Sequence, residues 1–553
     1  MPTQSYQTQF IFSPNRFSGL VLVVLIAALY ATYLFPTDFI KGTSSYWLAQ
    51  NEDVTQYIAG FNAYFSEPWH WPLWKIGSLN WPQGTLTTFV DVIPLYSAIL
   101  KLIAPASWFP FNPFGFWLLL CIFLQAIGSW WIVREAQITS WIALIALTVL
   151  LLTFPSWLNR FVHISLFSHW ILLFSFALVL QEQRTKHLPN CNWFILLLCA
   201  FFINIYLFTM ILAIFASQWL SQDFVAHRIR ILYCTLLMLA IFILAASATM
   251  WPLPAANGGS EYGFGIYSLN LLSPISGGSL WQVSPDSFSS EQHFEGFNYL
   301  GFGILTLLIS CLIGFIKQRW NQSCNRTNLV WPLSVWITLL LMMVYAFSNR
   351  IYWGDQLLYE WVIPHWALPL TGQFRASGRF FWPIAYALTI FVFICVYRLY
   401  TKRTANIILC VVCALQIIDL SPLIMQTRAL LSRISPPIID HMEWQKLLPP
   451  QTQTLYLYPK LKCNKNSSFL EIQLPFMRYA SENHFNINTG YIARYNPACS
   501  QEALEIAQSN FQSSAYIFVN AEYSDSTIES FFPSQKAFTC EKFKSVTLCL
   551  KRK

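Results

Sequence analysis

The sequence predicts a polytopic α-helical membrane protein of about eleven spans that carries a small C-terminal extracytoplasmic α/β domain. Three observations point there. Only 10% of the 553 residues are charged, where an ordinary soluble domain carries roughly 25%. Hydrophobic residues make up 55% and aromatic residues 17%, and the mean hydropathy is +0.46. The charge is also uneven: residues 424–553 hold 14 of the 33 Lys and Arg and 10 of the 25 Asp and Glu. A soluble enzyme, a disordered scaffold and a nucleic-acid binder all fit this composition poorly, and the net charge of +8 is spread thinly between apolar runs without forming a basic face.

The first apolar run, 17–35, is uncharged, follows Arg16 and is long enough to cross about 30 Å of hydrocarbon. It ends in bulky residues, Tyr33, Leu34 and Phe35, where a signal peptide needs small ones, so a retained span with a cytoplasmic N-terminus is expected. Further apolar segments lie near 113–133, 139–154, 164–182, 193–203, 205–220, 230–250, 298–316, 330–347, 381–397 and 405–423. With this count, Arg134, Arg184, Lys186, Arg228, Arg230, Lys317, Arg319, Arg326, Arg398, Lys402 and Arg403 fall on the cytoplasmic side, as the positive-inside rule requires. Seven other basic residues of the membrane part fall outside. The count holds only if the apolar stretch 86–104 does not cross. It contains Asp91, Pro94 and Lys101, which are costly in lipid, so a juxtamembrane or re-entrant helix is expected there.

Three long external loops follow from this topology, 36–112, 251–297 and 348–380, and they hold most of the acidic residues of the membrane domain 1–425. From about Gln426 the chain turns polar, with Pro436-Pro437 and Pro449-Pro450 marking a linker into the soluble domain 426–553. There 454–458, 515–519 and 546–550 read as strands and 501–509 as a helix. Its four cysteines, Cys463, Cys499, Cys540 and Cys549, fit two disulfides in an external domain, although free thiols are also compatible with the spacing, and the pairing is not deducible from sequence. The remaining cysteines lie mostly in apolar helices and are expected to act as small hydrophobes.

Four constellations could carry chemistry. In the first loop, Glu52 and Asp53 precede the Trp69-His70-Trp71 aromatics; a carboxylate just outside a span can serve as general base toward a hydroxyl, or simply be solvated. Arg160 and His163 lie between two spans, where Arg offers a planar fork to a phosphate and His can orient or protonate it, or where both are interfacial anchors. Glu295 opens a span after a stretch containing Gly258, Gly259, Gly263, Gly265, Gly277 and Gly278, which reads as a mobile loop over a lipid substrate or as plain turns. Arg375 and Arg379, four apart at the entry to a span, would share one helix face suited to a phosphate or pyrophosphate, and they run against the positive-inside trend. No serine triad, nucleotide loop or zinc spacing stands in a convincing context.

The order of these features resembles the GT-C superfamily of integral membrane glycosyltransferases, which take sugars from polyprenyl-phosphate carriers. The resemblance rests on a single first span, a long external loop with Glu52 and Asp53, the Pro-Trp-x-x-Pro-Leu pattern of Pro68 to Leu73, and a multi-span core. The strings Glu295-Gly296-Phe297-Asn298-Tyr299-Leu300-Gly301 and Phe374-Arg375-Ala376-Ser377-Gly378-Arg379-Phe380-Phe381-Trp382-Pro383 look like an uncharacterised bacterial branch of that superfamily. The resemblance implies a GT-C-like fold in the bacterial inner membrane, with Asp53 activating the acceptor. It also implies a lipid-linked sugar donor and a glycan, lipid or protein acceptor. No cofactor is certain; a divalent metal stays open, although Val54 and Thr55 stand where a paired Asp-x-Asp would continue.

The expected function is therefore an inverting membrane glycosyltransferase with Asp53 as base, assisted by Glu52, and with Arg160, His163, Glu295, Arg375 and Arg379 at the substrate. A glycan ligase or polymerase working through Arg160 and His163 is one alternative. A transporter or flippase is the other, with Asp419 the clearest acid inside a helix.

Overall fold

The computed structural model describes residues 14, 16–48, 53–221, 224–251, 263–280, 295–320, 330–433, 436–464, 470–493, 496–532 and 537–552. They divide into two units: Met1–Thr37, Phe116–Cys234 and Gly259–Leu430 form one, and Asp38–Gly115, Thr235–Gly258 and Leu431–Lys553 the other.

Each apolar segment counted in the sequence is built around a helix: Phe17–Leu34, Phe114–Glu135, Trp141–Leu152, Trp170–Thr185, Asn190–Ile203, Ile205–Leu220, Phe224–Met250, Phe302–Trp320, Leu333–Phe347, Trp382–Leu399 and Lys402–Leu431. Five helices among the described residues are long and apolar enough to cross a bilayer, which suggests membrane association. The breaks between helices have local causes. Asn204, in an extended conformation, ends one helix and caps the next by accepting from the Tyr206 N–H at 2.9 Å. Ser140 does the same for Trp141–Leu152 through the Ala143 N–H. Helix Phe17–Leu34 buries one stripe, Gly19, Val23, Ala27, Ala31 and Leu34, and packs it against helix Trp141–Leu152. Residues four apart lie on one face, and small ones let helices approach closely.

Asp419, the acid inside helix Lys402–Leu431, is buried and fully engaged by the start of a neighbouring helix. Its carboxylate accepts from the Tyr299 hydroxyl at 2.8 Å and from the Phe302 and Leu280 N–H groups at 3.0 and 2.8 Å. It thus caps helix Phe302–Trp320 from outside that helix. Gly278 stands against this carboxylate, where a Cβ would lie 2.2 Å from Oδ1, so close packing accounts for this glycine. The segment 348–380 contains an antiparallel hairpin, Arg350–Trp353 with Gln356–Glu360, closed at its base by the Arg350–Glu360 pair at 2.7 Å.

The second unit holds the predicted α/β domain. Strands Asn486–Ile487, Thr454–Tyr458, Ser514–Val519, Val546–Lys551 and Phe538–Phe543 lie side by side in that order, the first three mutually parallel, Val546–Lys551 antiparallel to them and Phe538–Phe543 antiparallel to Val546–Lys551. Tyr458, Tyr516, Phe518, Phe532 and Phe538 form the core of one face with Ile506 and Ile528. The disulfides join Cys463 to Cys499, and Cys540 to Cys549 across the last strand pair.

The second unit is larger than the segment 426–553, because Asp38–Gly115 and Thr235–Gly258 are part of it. Helix Asp53–Ser66, which the sequence did not distinguish from loop, is buried from Val54 to Phe65. It packs on helix Leu470–Glu482, and Gly60 lets Val90 and Val92 approach where a Cβ would lie 2.5 Å from a valine methyl. Gln56 donates to the Tyr491 carbonyl at 2.6 Å, and Arg478 to the Trp47 carbonyl. Residues 78–81 run parallel to Asn486–Ile487 as an added edge, with the Ile487 N–H donating to Ser78 O and the Trp81 N–H to Ile487 O, both at 2.8 Å. The stretch 86–104 becomes a 3-10 turn at Thr87–Val90, a left-handed Asp91 and helix Pro94–Ile103. Ten helical residues span about 15 Å, half of what a crossing needs.

Candidate functional site

The first unit gathers four of the expected site residues into one buried cluster. Pro155 starts a single helical turn, Pro155–Leu158, after which the chain to residue 169 coils on itself. Trp157 anchors that coil by donating to the Phe167 carbonyl at 2.8 Å and stacking on the Phe167 ring. The coil turns Arg160 inward until its side chain is wholly enclosed. There Nη1 donates to Glu295 Oε2 at 2.8 Å and Nη2 to the Glu295 carbonyl at 3.3 Å, while the guanidinium lies 5.3 Å from the Trp382 ring centroid.

Arg379 approaches Glu295 from another side. Its Nε donates to Oε2 at 2.9 Å and its Nη2 to Oε1, a bidentate geometry, and it covers the Tyr206 ring at 4.8 Å. His163 Nε2 stands 3.8 Å from Glu295 Oε1.

The two strings singled out in the sequence meet here. Asn298 Nδ2 donates to both Gly296 O and Gly378 O at 3.1 Å, and Ser273 ties the same turn by donating to Gly296 O and accepting from the Asn298 N–H. Asn298 and Ser273 were not expected as site residues. Asn298 stood inside the string Glu295 to Gly301 without a role assigned to it, and no sequence signal pointed to Ser273.

The electrostatics follow from this packing. Burial opposes ionisation of Glu295, but Arg160 and Arg379 outweigh it and hold the carboxyl well below the usual carboxylate range. Burial pushes His163 down to about 3 against the pull of Glu295, with Arg160 and Arg379 adding to the fall. At neutral pH the cluster is thus two guanidiniums, one carboxylate and a neutral imidazole, with a net charge of +1.

Several expectations are corrected. Arg160 is not an open phosphate clamp, because its fork is spent on Glu295 and it is fully enclosed. His163 is neutral, so it can donate a hydrogen bond but carries no proton to give. Glu295 is not a free acid over a mobile loop, since two guanidiniums fix it. Arg375 and Arg379 do not share a helix face: a helical turn ends at Gln373, a 3-10 turn runs Ser377–Phe381, and the regular helix begins only at Trp382. Arg375 lies in the break and is exposed, next to Gly263, while Arg379 is turned inward.

Asp53 belongs to the second unit, as the first residue of helix Asp53–Ser66 and partly buried. Glu52, and the glycines at 258 and 259, lie outside the described residues. A divalent cation does not fit the cluster, whose one carboxylate is already shared by two cations. Among the described residues no group of three or more His, Cys, Asp and Glu side chains is placed to hold a metal ion.

Fold and cluster together define a membrane-associated helical protein with a buried Arg–Glu–Arg centre and an appended disulfide-bonded α/β unit. Residues 24–421 match the family described as Domain of unknown function (DUF6311), and residues 443–551 match its C-terminal domain, so the chain belongs to the DUF6311 family. No curated protein matches the sequence.

Proposed function

We propose that this protein is an inverting glycosyltransferase of the bacterial inner membrane, drawing its sugar from a polyprenyl-phosphate carrier. The proposal includes about eleven spans with the N-terminus cytoplasmic and the second unit extracytoplasmic. Glu295, Arg160 and Arg379 form a preorganised cationic floor, and the exposed Arg375 together with the edge of Arg379 receives the carrier phosphate. Asp53 takes the proton from the acceptor hydroxyl as its oxygen bonds to the anomeric carbon. The bond from that carbon to the phosphate oxygen breaks, and the phosphate leaves with the electron pair beside the arginines.

One observation carries this reading: two guanidiniums share a single carboxylate at a junction of loop and helix, next to a further exposed arginine. The leftover positive charge favours a singly charged anion such as a phosphodiester. The same geometry argues for Asp53 over Glu295 as base, because a carboxylate held ionised by two cations is weakly basic. The enclosure of Arg160 and the neutrality of His163 argue against a direct Arg–His mechanism.

The test uses the full protein in lipid nanodiscs. Arg375→Ala with Arg379→Ala is expected to abolish binding of polyprenyl-phosphate sugars, whereas Asp53→Asn binds them and does not transfer. Full activity of Asp53→Asn at normal expression would exclude that residue as the base.

A further inference from the structure

We infer that helix Pro94–Ile103 is an interfacial membrane anchor of the second unit, laying its outward face into the acyl chains of one lipid leaflet. The helix is inside out by the standards of a water-soluble fold. Its outward stripe is Leu95, Ile99, Leu102 and Ile103, with Leu102 77% and Ile103 67% exposed. Its polar residues face inward: Ser97 is fully buried, and Lys101 donates to the Tyr64 carbonyl at 2.6 Å while lying over the rings of Tyr64 and Trp69 at 4.1 and 4.9 Å.

A surface helix in water buries its apolar stripe and solvates its charges. The opposite arrangement is stable where the outer medium is hydrocarbon, which accepts leucine and isoleucine and excludes an ammonium group. Lys101, costly for this stretch on sequence grounds, is thus kept away from lipid by a carbonyl and two aromatic faces.

The surroundings agree with a bilayer surface and not with a protein partner. Trp69, over which Lys101 lies, and Trp108, five residues past the helix, are half-exposed and of the type that settles at headgroup level. After ten intervening residues, the chain enters helix Phe114–Glu135, one of the helices long and apolar enough to cross. At about 15 Å the anchor is too short to cross and suits the boundary layer, about 5–10 Å deep. It also fixes a level for the unit. The carbonyl that receives Lys101 belongs to Tyr64, eleven residues along the same helix from Asp53, which places Asp53 about 17 Å along that helix from the residue that holds the anchor.

The test replaces Leu102 by the fluorescent amino acid Anap in the full-length protein, reconstituted in nanodiscs of lipids brominated at either shallow or deep acyl positions. Leu504, exposed on helix Glu502–Gln508, carries the same probe as a control. Because both side chains point outward, neither substitution disturbs packing, and a melting curve matching the unlabelled protein verifies this. The expected result is several-fold stronger quenching at Leu102 than at Leu504, with shallow bromines more effective than deep ones. Quenching no greater than at Leu504 would overturn the anchor, whether the stripe then faced water or another protein. Stronger quenching by deep bromines would overturn the interfacial placement.

Discussion

Replacing Glu295 by Gln removes the negative charge from the centre of the buried cluster and leaves the rest of the chain unchanged. Arg160 has no exposed side-chain surface, and Arg379 only 13%, so neither cation can reach water to compensate. Breaking a buried ion pair by removing one partner costs roughly 3–5 kcal/mol, and because both arginines share one carboxylate the cost is counted once. At about 2 °C per kcal/mol for a large domain, the melting temperature should fall by about 6–10 °C.

Differential scanning fluorimetry of detergent-purified protein reads this directly. The pH dependence provides a second check. The folded carboxyl lies below its unfolded value of about 4.3, so its contribution is complete above that value and is lost only as pH falls through the folded one. The deficit of the Gln variant should therefore be flat from pH 6 to 8. A triple change to apolar residues, Arg160→Met, Glu295→Leu and Arg379→Met, should melt close to wild type while losing anion binding, since well-packed hydrophobes commonly replace buried ion networks without loss. A Glu295→Gln melt within about 2 °C of wild type would refute the claim that the triad is a closed, charge-compensated unit.

Three further outcomes are expected. His163 is held neutral, with a folded value of about 3 against an unfolded one of about 6.5, so its share of stability is complete above 6.5 and declines as pH falls between the two, by at most about 1.4 kcal/mol per pH unit. His163→Gln should flatten the wild-type melting profile between pH 6 and 4, and superimposable profiles would contradict the assignment. Asp419→Asn should lower protection from hydrogen exchange at the Leu280 and Phe302 amides and cost about 2–3 kcal/mol, as one charged acceptor of three hydrogen bonds becomes a neutral one. Cys463→Ser with Cys499→Ser should destabilise the second unit by about 3–4 kcal/mol, and Cys540→Ser with Cys549→Ser by about 2–3 kcal/mol, because the first bridge closes 36 residues and the second 9. Urea titrations with and without reductant measure both.

The helices were legible because unbroken apolar runs report on length and medium at once, and Asn204 and Pro155 punctuate them as their chemistry requires. The strands 454–458, 514–519 and 546–551 showed through their hydrophobic runs. Helix Leu470–Glu482 was hidden by Pro475, and strand Asn486–Ile487 by being two residues long. Helix Asp53–Ser66 does carry Val54, Tyr57, Ile58, Phe61, Tyr64 and Phe65 at helical spacing, a period overlooked in the sequence because the segment reads as a loop bearing acids and aromatics.

At the site, sequence spacing singled out Arg160 with His163, Glu295, and Arg379 as separate candidates and assigned each a free role, whereas the fold brings the four into one cluster. Their neutralisation by one another depends on contacts between residues 135 and 84 positions apart, which spacing does not reveal. The shared face expected of Arg375 and Arg379 failed because the regular helix starts only at Trp382.

The joining of the first loop to the tail sets an order of events during biosynthesis. Gln56 waits for Tyr491, 435 residues later. At about 5–20 residues per second that interval is roughly 20–90 s. Throughout it, helix Asp53–Ser66 has emerged with Val54, Ile58, Phe61 and Phe65 uncovered, while the sheet edge that pairs with residues 78–81 does not yet exist. Non-local closure of this kind is slow and leaves aggregation-prone surface uncovered. A ribosome stalled before residue 470 would therefore present a client for holding chaperones, and a chain shortened there would be cleared by proteolysis and not accumulate as a stable membrane core.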